Sequence, residues 1–266
     1  KLLAMFSAAI MLAAAPAFAD ETEITVGVYH FPPIASVDDN GEPTGLLGDL
    51  LQELEQANLT VSFRVFHTSP KRRHLDFEAG LYDVIFFESP GWGWTKRNVD
   101  ISRPILADEE LYVALKKPGR DDSFFDDLEQ RSIVAISGYH YGFTGYETDN
   151  SVLEQKFNIE FSDSHSRNIK LIKADRPSVA EVAIVSHSYL QRHLARHPED
   201  WDKLLVSKKP DQRYQLSVIA RKGGAASADE MMRLLTPLVD NGRYRQIVEN
   251  WGLQLPAGFL TGFEAP

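Results

Sequence analysis

Residues 83–87 read DVIFF, an aspartate followed by four apolar residues in succession. A short apolar run of this kind is typical of a strand that is buried on both faces of a parallel sheet. Two earlier runs alternate in polarity, ITVGVY at 24–29 and VSFRV at 61–65, and predict two more strands. Leucines at helical spacing lie between these two strands, and a short helix is expected over 72–79. This order predicts βαβ units and an α/β sheet.

The same pattern restarts in the second half of the chain. LYVAL at 111–115 predicts a strand, and KPG at 117–119 ends it. Further elements are expected downstream, namely strands at 132–136, 179–185 and 215–220 and helices at 231–239 and 244–250.

A pattern that restarts in this way predicts one lobe inserted into another. We expect lobe 1 to comprise residues 20–113 and 217–266, and lobe 2 to comprise residues 114–216. The chain would pass between the lobes through two crossover strands, near 111–116 and 215–221.

The composition narrows the possible functions. The chain has 266 residues and a net charge of −10, with 28 Lys and Arg against 38 Asp and Glu. This balance disfavours nucleic-acid binding, which depends on clustered cations. The absence of cysteine excludes disulfides, thiolate metal sites and a cysteine nucleophile.

The first residues are typical of a secretory signal peptide. Lys1 precedes an apolar run that extends to Ala15, and AFA at 17–19 supplies a small-x-small cleavage pattern. A membrane anchor or a buried helix is the alternative, although the run is short for a membrane span. We therefore expect residues 1–19 to be removed on export to a bacterial periplasm. Without a cysteine to carry a lipid, the product should be soluble, neither lipid-anchored nor embedded in the membrane.

Several motifs together resemble one known family. They are VGVYHFPP at 26–33, NGEPTG at 40–45, VDISRP at 99–104 and GRYRQI at 242–247. In this order and spacing they resemble the family 3 solute-binding proteins of ABC transporters, which have the type II periplasmic-binding fold. The resemblance implies two α/β lobes with two crossover strands and an interlobe ligand cleft. It also implies a monomer that captures a small polar metabolite, amino-acid-like or another organic ion, and delivers it to an ABC permease.

Candidate ligand-binding residues in lobe 1 follow the ends of its strands, which face the cleft in such folds. Tryptophans can supply apolar walls and a cation–π face, a glutamate can bind a ligand cation, and an arginine can bind a carboxylate. Packing within the lobe or a solvated surface is the alternative for each of them. The candidates are Tyr29, Phe31, Arg72, Glu88, Ser89, Trp92, Trp94 and Arg97.

Lobe 2 contributes a second set. SGYHYG at 137–142 follows a predicted strand, and its glycines would let backbone N–H groups approach an anion. DQRY at 211–214 precedes the return strand and could place an acid or a phenol at the hinge. The candidates here are Tyr139, His140, Tyr141, Ser186 and Asp211.

Two positions depart from the family members that bind α-amino acids. Those members usually have an arginine for the carboxylate where this chain has Thr95, and an aspartate for the ammonium group where it has Ser186. Neutral hydroxyls cannot form the charge-assisted bonds of such anchors. The resemblance therefore leaves the ligand open.

Two other functions compete with a transport receptor. The same fold resembles periplasmic cyclohexadienyl dehydratases, for which Glu88, Asp211 and His140 would be the acid–base candidates. The other competing hypothesis is that the protein is a soluble ligand-sensing partner of a membrane signalling receptor. Because no carboxylate pair is evident, we predict a binding protein with no catalytic residue.

No cofactor or metal ion is predicted. His193 and His197 are spaced i, i+4 on a predicted helix and could share a zinc ion, but no third ligand is evident. The sequence also contains no Gly-rich phosphate loop.

Overall fold

A computed structural model of the chain describes residues 22–259. The elements up to the first crossover are β1 (Thr22–Val28), β2 (Ser36–Val37), β3 (Pro43–Thr44), α1 (Leu46–Ala57), β4 (Val61–His67), α2 (Arg73–Glu78), β5 (Val84–Glu88), β6 (Val99–Ile101) and β7 (Leu106–Leu115). Those that follow are β8 (Ser132–Ile136), α3 (Asn150–Lys156), β9 (Asn158–Ser162), α4 (His165–Lys173), β10 (Val182–Ser186), α5 (His187–Arg196), β11 (Leu204–Val206), β12 (Gln212–Arg221), α6 (Ala228–Asp240) and α7 (Arg243–Asn250). The predicted signal peptide lies outside the described residues.

Most strands form one curled sheet in the order β4-β1-β5-β12-β7-β10-β8-β9, to which β6 adds beside β12 and β11 beside β7, while β2 and β3 form a separate two-stranded sheet. β1 is parallel to β4 and β5, and β8 is parallel to β9 and β10. These two parallel groups are the centres of two α/β lobes. We call the half that contains β1 lobe 1 and the half that contains β8 lobe 2.

β7 and β12 connect the lobes as an antiparallel pair. Residues 212–216 of β12 pair with β7, whereas residues 217–221 of the same strand pair with β5 and β6 in lobe 1. β7 pairs with β10 from Glu110 onward. The two-lobed type II periplasmic-binding architecture is therefore confirmed, while the exact lobe boundaries stay a prediction.

The core explains why these residues form these elements. The DVIFF run becomes β5, where the four apolar side chains are at most 5% exposed. The predicted leucines of α1 are buried against the sheet, and α6 and α7 pack against α1. Among the described residues, no helix is long and apolar enough to cross a membrane.

Sequence periodicity missed part of lobe 2. No element was expected between residues 137 and 178, where the structure has α3, β9 and α4. β9 lies at the edge of the sheet and its alternation is weak, with Ile159 and Phe161 only half-buried. The strand expected over 179–185 begins three residues later, at Val182.

Candidate functional site

The lobes meet at a small cavity of about 10 Å³ between the strand ends. This volume is far below the range of about 300–1,000 Å³ that is typical of ligand pockets, so the lobes must separate before a solute can enter. The lobes are thus closed on one another. The cavity is lined by Tyr29, Phe31, Arg73 and Trp92 from lobe 1, by Glu110 on the connecting strand β7, and by Gly138, Tyr139 and His140 from lobe 2.

Aromatic rings from both lobes form most of the cavity wall. The rings of Tyr29 and Phe31 stack with centroids 5.9 Å apart, and the Tyr139 ring meets both edge-on at 6.3 and 5.7 Å. Trp92 stacks on the His140 ring across the lobe boundary, at 6.2 Å. Such contacts favour closure and provide flat apolar faces for a ligand.

A buried ion pair lies behind the lobe 1 wall. Arg73 Nε donates to Glu88 Oε2 at 3.1 Å, and the two side chains are 2% and 0% exposed. Trp94 Nε1 donates to the same oxygen at 2.5 Å. Phe87, just before Glu88, has a φ of +62°, which is uncommon for a bulky residue. This local turn lies where β5 ends and Glu88 enters the pair.

Hydrogen bonds cross between the lobes at the same place. Arg73 NH2 lies 3.1 Å from His140 Nδ1, and Arg73 NH1 donates to the Gly138 carbonyl at 3.5 Å. The Tyr139 hydroxyl donates to the His30 carbonyl at 2.7 Å. Because arginine has only donors, His140 Nδ1 accepts, so neutral His140 has its proton on Nε2.

The histidines at the site are held neutral. Burial, together with the cations of Arg73 and Arg97, lowers the pKa of His140 from 6.5 to about 3. The same causes, with burial the largest, lower the pKa of His74 to about 2. Neither imidazole therefore contributes positive charge to the cavity near neutral pH.

Glu110 is the second buried carboxyl of the site and is 2% exposed. The Tyr214 hydroxyl donates to its Oε1 at 3.3 Å, while Oε2 has no hydrogen-bond partner among the described residues. Burial raises its pKa well above the usual value, and the carboxylates of Asp108 and Asp211 raise it further. Burial thus favours the protonated form of Glu110.

Two predicted arginines lie away from the cavity. Arg72 immediately precedes α2 and its side chain is 67% exposed to solvent. It pairs with the carboxylate of Asp76 at 2.8 Å. The cleft arginine is its neighbour, Arg73. Arg97 is turned back into lobe 1, where it contacts Glu78 at 2.8 Å and the Gly93 carbonyl at 2.6 Å.

Four other candidates have structural roles. Trp94 is fully buried against His74 and Phe77, so it supports Glu88 from behind. The Tyr141 hydroxyl accepts from the Ile136 N–H inside lobe 2. Ser186 precedes α5 and is fully buried; it does not line the cavity itself but pairs across the strands with Glu110, which does. Ser89 is half-buried, and its carbonyl accepts from the Trp92 N–H in the loop turn.

Asp211 is also removed from the cavity. Its carboxylate accepts from the Gly142 and Phe143 N–H groups at 2.6 and 2.7 Å and from the Tyr112 hydroxyl at 2.6 Å. These bonds fix the 139–145 loop to β12. Asp211 and Glu88 consequently do not form the acid–base pair that a dehydratase-like reaction would use. The hinge contributes the phenol of Tyr214 instead, which packs on Trp92 at 5.1 Å.

The histidine pair does not assemble a metal site. His193 and His197 lie 4.7 Å apart between ring centroids, but His193 bonds to Asp200 at 2.8 Å, which Lys173 also contacts. Within residues 22–259, no group of three or more His, Cys, Asp or Glu side chains is arranged to hold a metal ion.

Residues 24–254 match the family model for bacterial extracellular solute-binding proteins, family 3. No curated protein sequence is significantly similar to this chain. Solved structures do resemble it. A substrate-binding protein of an ABC uptake transporter from Streptococcus pneumoniae, with bound histidine, is 16% identical with a TM-score of 0.67 and covers 86% of this chain and 92% of its own.

Two further structures extend the likeness of fold. The GluR0 ligand-binding core from Nostoc punctiforme, in complex with L-glutamate, is 16% identical with a TM-score of 0.64 and covers 86% of this chain and 98% of its own. A histidine kinase sensor domain similar to periplasmic binding proteins is 16% identical with a TM-score of 0.68, covering 90% and 99%. At these identities the likeness concerns the fold alone.

Proposed function

This chain belongs to the bacterial extracellular solute-binding proteins, family 3, and we propose that it captures a small polar organic ion in the interlobe cavity and delivers it to an ABC permease. We propose further that residues 1–19 direct its export, and that the mature protein acts as a monomer in the periplasm.

One observation supports capture above all. Aromatic and charged side chains of both lobes line a single cavity, and the chain passes between the lobes through β7 and β12. Two lobes joined by a pair of strands can rotate about that pair, which exposes the cavity and closes it again. A solute that contacts both walls would favour the closed form.

The contacts also narrow the candidate residues. We propose that Tyr29, Phe31, Trp92, Tyr139 and His140 contact the solute, and that Arg73 replaces Arg72 as the arginine of the site. The relatives named above hold histidine or L-glutamate. Thr95, at the position of the usual carboxylate anchor, is exposed here, and Ser186 offers a neutral hydroxyl at the ammonium position. We therefore do not extend those ligands to this chain.

A thermal-shift screen of the mature protein tests capture. A solute present at a hundred times its Kd should add about 2.7 kcal/mol to the free energy of unfolding. Small-angle scattering should show compaction with the same solute. The proposal fails if amino acids, amines, dicarboxylates and aromatic acids all leave both the melting temperature and the scattering unchanged.

Gly138→Ala tests whether closure of this cavity is the binding step. A Cβ at Gly138 would lie 2.8 Å from Lys71 Cγ and 3.0 Å from the Lys71 nitrogen, across the lobe boundary. Gly145→Ala is the matched control, since Gly145 also has a positive φ but no atom within 4 Å of its Cβ. We expect Gly138→Ala to weaken binding about tenfold or more and Gly145→Ala to leave affinity unchanged.

Sensing is the second candidate, because a sensor domain shares the fold over almost its whole length. Both functions need the same capture step. A liganded protein that stimulates ATP hydrolysis by a reconstituted permease would support transport, whereas an effect confined to autophosphorylation of a receptor kinase would support sensing.

A further inference from the structure

We infer that the cavity selects an organic cation, a solute with an ammonium group and no carboxylate, and that Glu110 is the carboxylate that binds it. This inference rests on the proposed capture function and names the chemical class of its ligand.

The lobe 1 charges are already matched to each other. Arg73 uses Nε for Glu88, NH1 for the Pro70 and Gly138 carbonyls, and NH2 for His140. These contacts occupy four of its five N–H donors, so Arg73 cannot offer the two parallel donors of a bidentate bond to the carboxylate of a ligand. With Arg73 and Glu88 paired and the imidazole of His140 neutral, lobe 1 presents no net positive charge to an anion.

Glu110 is the one of these charged groups that lacks a matching charge. It lines the cavity, is 2% exposed, and has Oε2 without a hydrogen-bond partner in the described part of the chain. A buried polar atom without a partner is costly, so a donor that reaches Oε2 gains more than it would at the surface. An ammonium group supplies both the donor and the compensating charge.

The surrounding rings suit the same ligand. Tyr29, Phe31, Trp92 and Tyr139 line the space in front of Glu110. Aromatic faces attract cations, most strongly where water is excluded. An organic cation could thus place its charge against Glu110 and its carbon atoms against these faces.

Binding would be coupled to the loss of a proton. Burial favours the protonated form of Glu110, whereas a cation beside it favours the carboxylate, so ligand binding should release a proton to solvent. The affinity for the cation should then rise as the pH increases above 4.5, the ordinary pKa of glutamate. The titratable and charged groups around Glu110 are Arg73 and Glu88 in lobe 1, Asp108 on β7, Asp211 and Tyr214 at β12, and Tyr139, His140 and Tyr141 in the loop after β8.

The experiment uses probe pairs that are matched in shape and differ in charge. Benzylamine is compared with benzyl alcohol, and butylamine with butanol; benzoate, succinate and histidine complete the panel. Calorimetry is done at about pH 5.5 and about pH 8 in buffers of different ionisation enthalpy, which reports the proton released per ligand bound.

Glu110→Gln keeps the size of the side chain and resembles the protonated acid, so it should fold. Glu109→Gln is the matched control on the same strand, since Glu109 is partly exposed and pairs with Arg213 outside the cavity. We expect amines to bind and their isosteres not to, with proton release and higher affinity at the higher pH. Glu110→Gln should lower amine affinity about 10- to 100-fold and abolish proton release, while Glu109→Gln changes neither.

The outcomes separate the two proposals. If benzoate, succinate or histidine binds and the amines do not, the cation inference is wrong and the capture function stands. If amines bind Glu110→Gln as well as the parent protein and release no proton, the role of Glu110 is wrong. If nothing in this panel or the wider screen binds, the capture function itself fails.

Discussion

Glu88 lies behind the lobe 1 wall of the closed cavity and Glu110 lines the cavity from β7, and the two are similarly buried, at 0% and 2% exposure. Glu88 has the guanidinium of Arg73 at 3.1 Å and the Trp94 indole at 2.5 Å. Glu110 has one phenol, that of Tyr214, at 3.3 Å. The two carboxyls thus differ in their partners: Glu88 has a cation and Glu110 has none.

This difference suggests a structural role for Glu88 and a ligand-binding role for Glu110. Each carboxyl has one buried oxygen without a hydrogen-bond partner among the described residues, Oε1 of Glu88 and Oε2 of Glu110. The contrast is therefore one of charge. Glu88 lies against a cation, and removal of either member of such a buried pair is strongly destabilising. Burial of a carboxyl without a cation favours its protonated form. The charge of Glu88 is thus matched within the protein, whereas Glu110 would gain a matching charge only from a ligand.

Arg73→Met should have the largest effect on this comparison. It leaves Glu88 buried without a cation, which costs about 3–5 kcal/mol in the free energy of unfolding. Urea denaturation at neutral pH measures this value. Glu88→Gln in the same background should recover part of the loss. A loss below about 1 kcal/mol for Arg73→Met would contradict the view that the pair is structural.

The two tryptophans should respond differently. Trp94→Phe removes the indole donor from buried Glu88 and should cost about 1–3 kcal/mol in stability. Trp92→Phe removes no bond to Glu88 and should lower stability less, while it changes ligand affinity and the ligand-dependent fluorescence. Denaturation and fluorescence titration of both variants measure this. Equal stability losses with unchanged affinity for Trp92→Phe would count against the division of roles.

Glu110→Gln should change how stability depends on pH. Above pH 4.5, the ordinary pKa, the unfolded chain has released the Glu110 proton while the folded chain still holds it. The free energy of unfolding therefore falls as pH rises, by up to about 1.4 kcal/mol per pH unit until the folded pKa is reached. Glu110→Gln lacks this term, so its stability relative to the parent should increase between about pH 5 and about pH 8. Parallel pH profiles for the two proteins would exclude the raised pKa.

Arg72→Ala should have the smallest effect. Its pair with Asp76 is exposed on the arginine side, so stability should change by no more than about 0.5 kcal/mol. Ligand affinity should not change, since Arg72 does not line the cavity. Loss of binding in Arg72→Ala, measured by the same calorimetry, would restore it as the cleft arginine.

The spacing of apolar residues was sufficient to predict much of the fold. The DVIFF run, the alternating strands of lobe 1 and the leucines of α1 each produce a local pattern that reports burial of one or both faces. The edge strand β9 shows where prediction from these patterns fails. Its exposed face and brief alternation leave little local signal, although Ile159 and Phe161 do have the spacing of a strand.

The sequence also identified only part of the candidate site. The sequence placed Tyr29, Trp92, Tyr139 and His140 after strand ends, and strand ends converge in any sheet of this kind. It could not choose between Arg72 and Arg73, because adjacent residues at a helix start differ by about 100° in direction. Docking of α2 against β5 makes that choice. Similarly, alternation separates Glu109 from Glu110 but does not say which face of β7 looks into the cavity.

The sequence by itself therefore determined the two-lobed α/β plan and the loops that meet at the cleft, since both follow from local polarity patterns and chain order. Only the tertiary structure decided which carboxyl acquired a cation. That outcome depends on contacts between residues far apart in the chain, such as Tyr214 with Glu110 and Arg73 with His140. The energy of a buried charge is set by what lies within a few ångströms of it, and no local pattern encodes that distance.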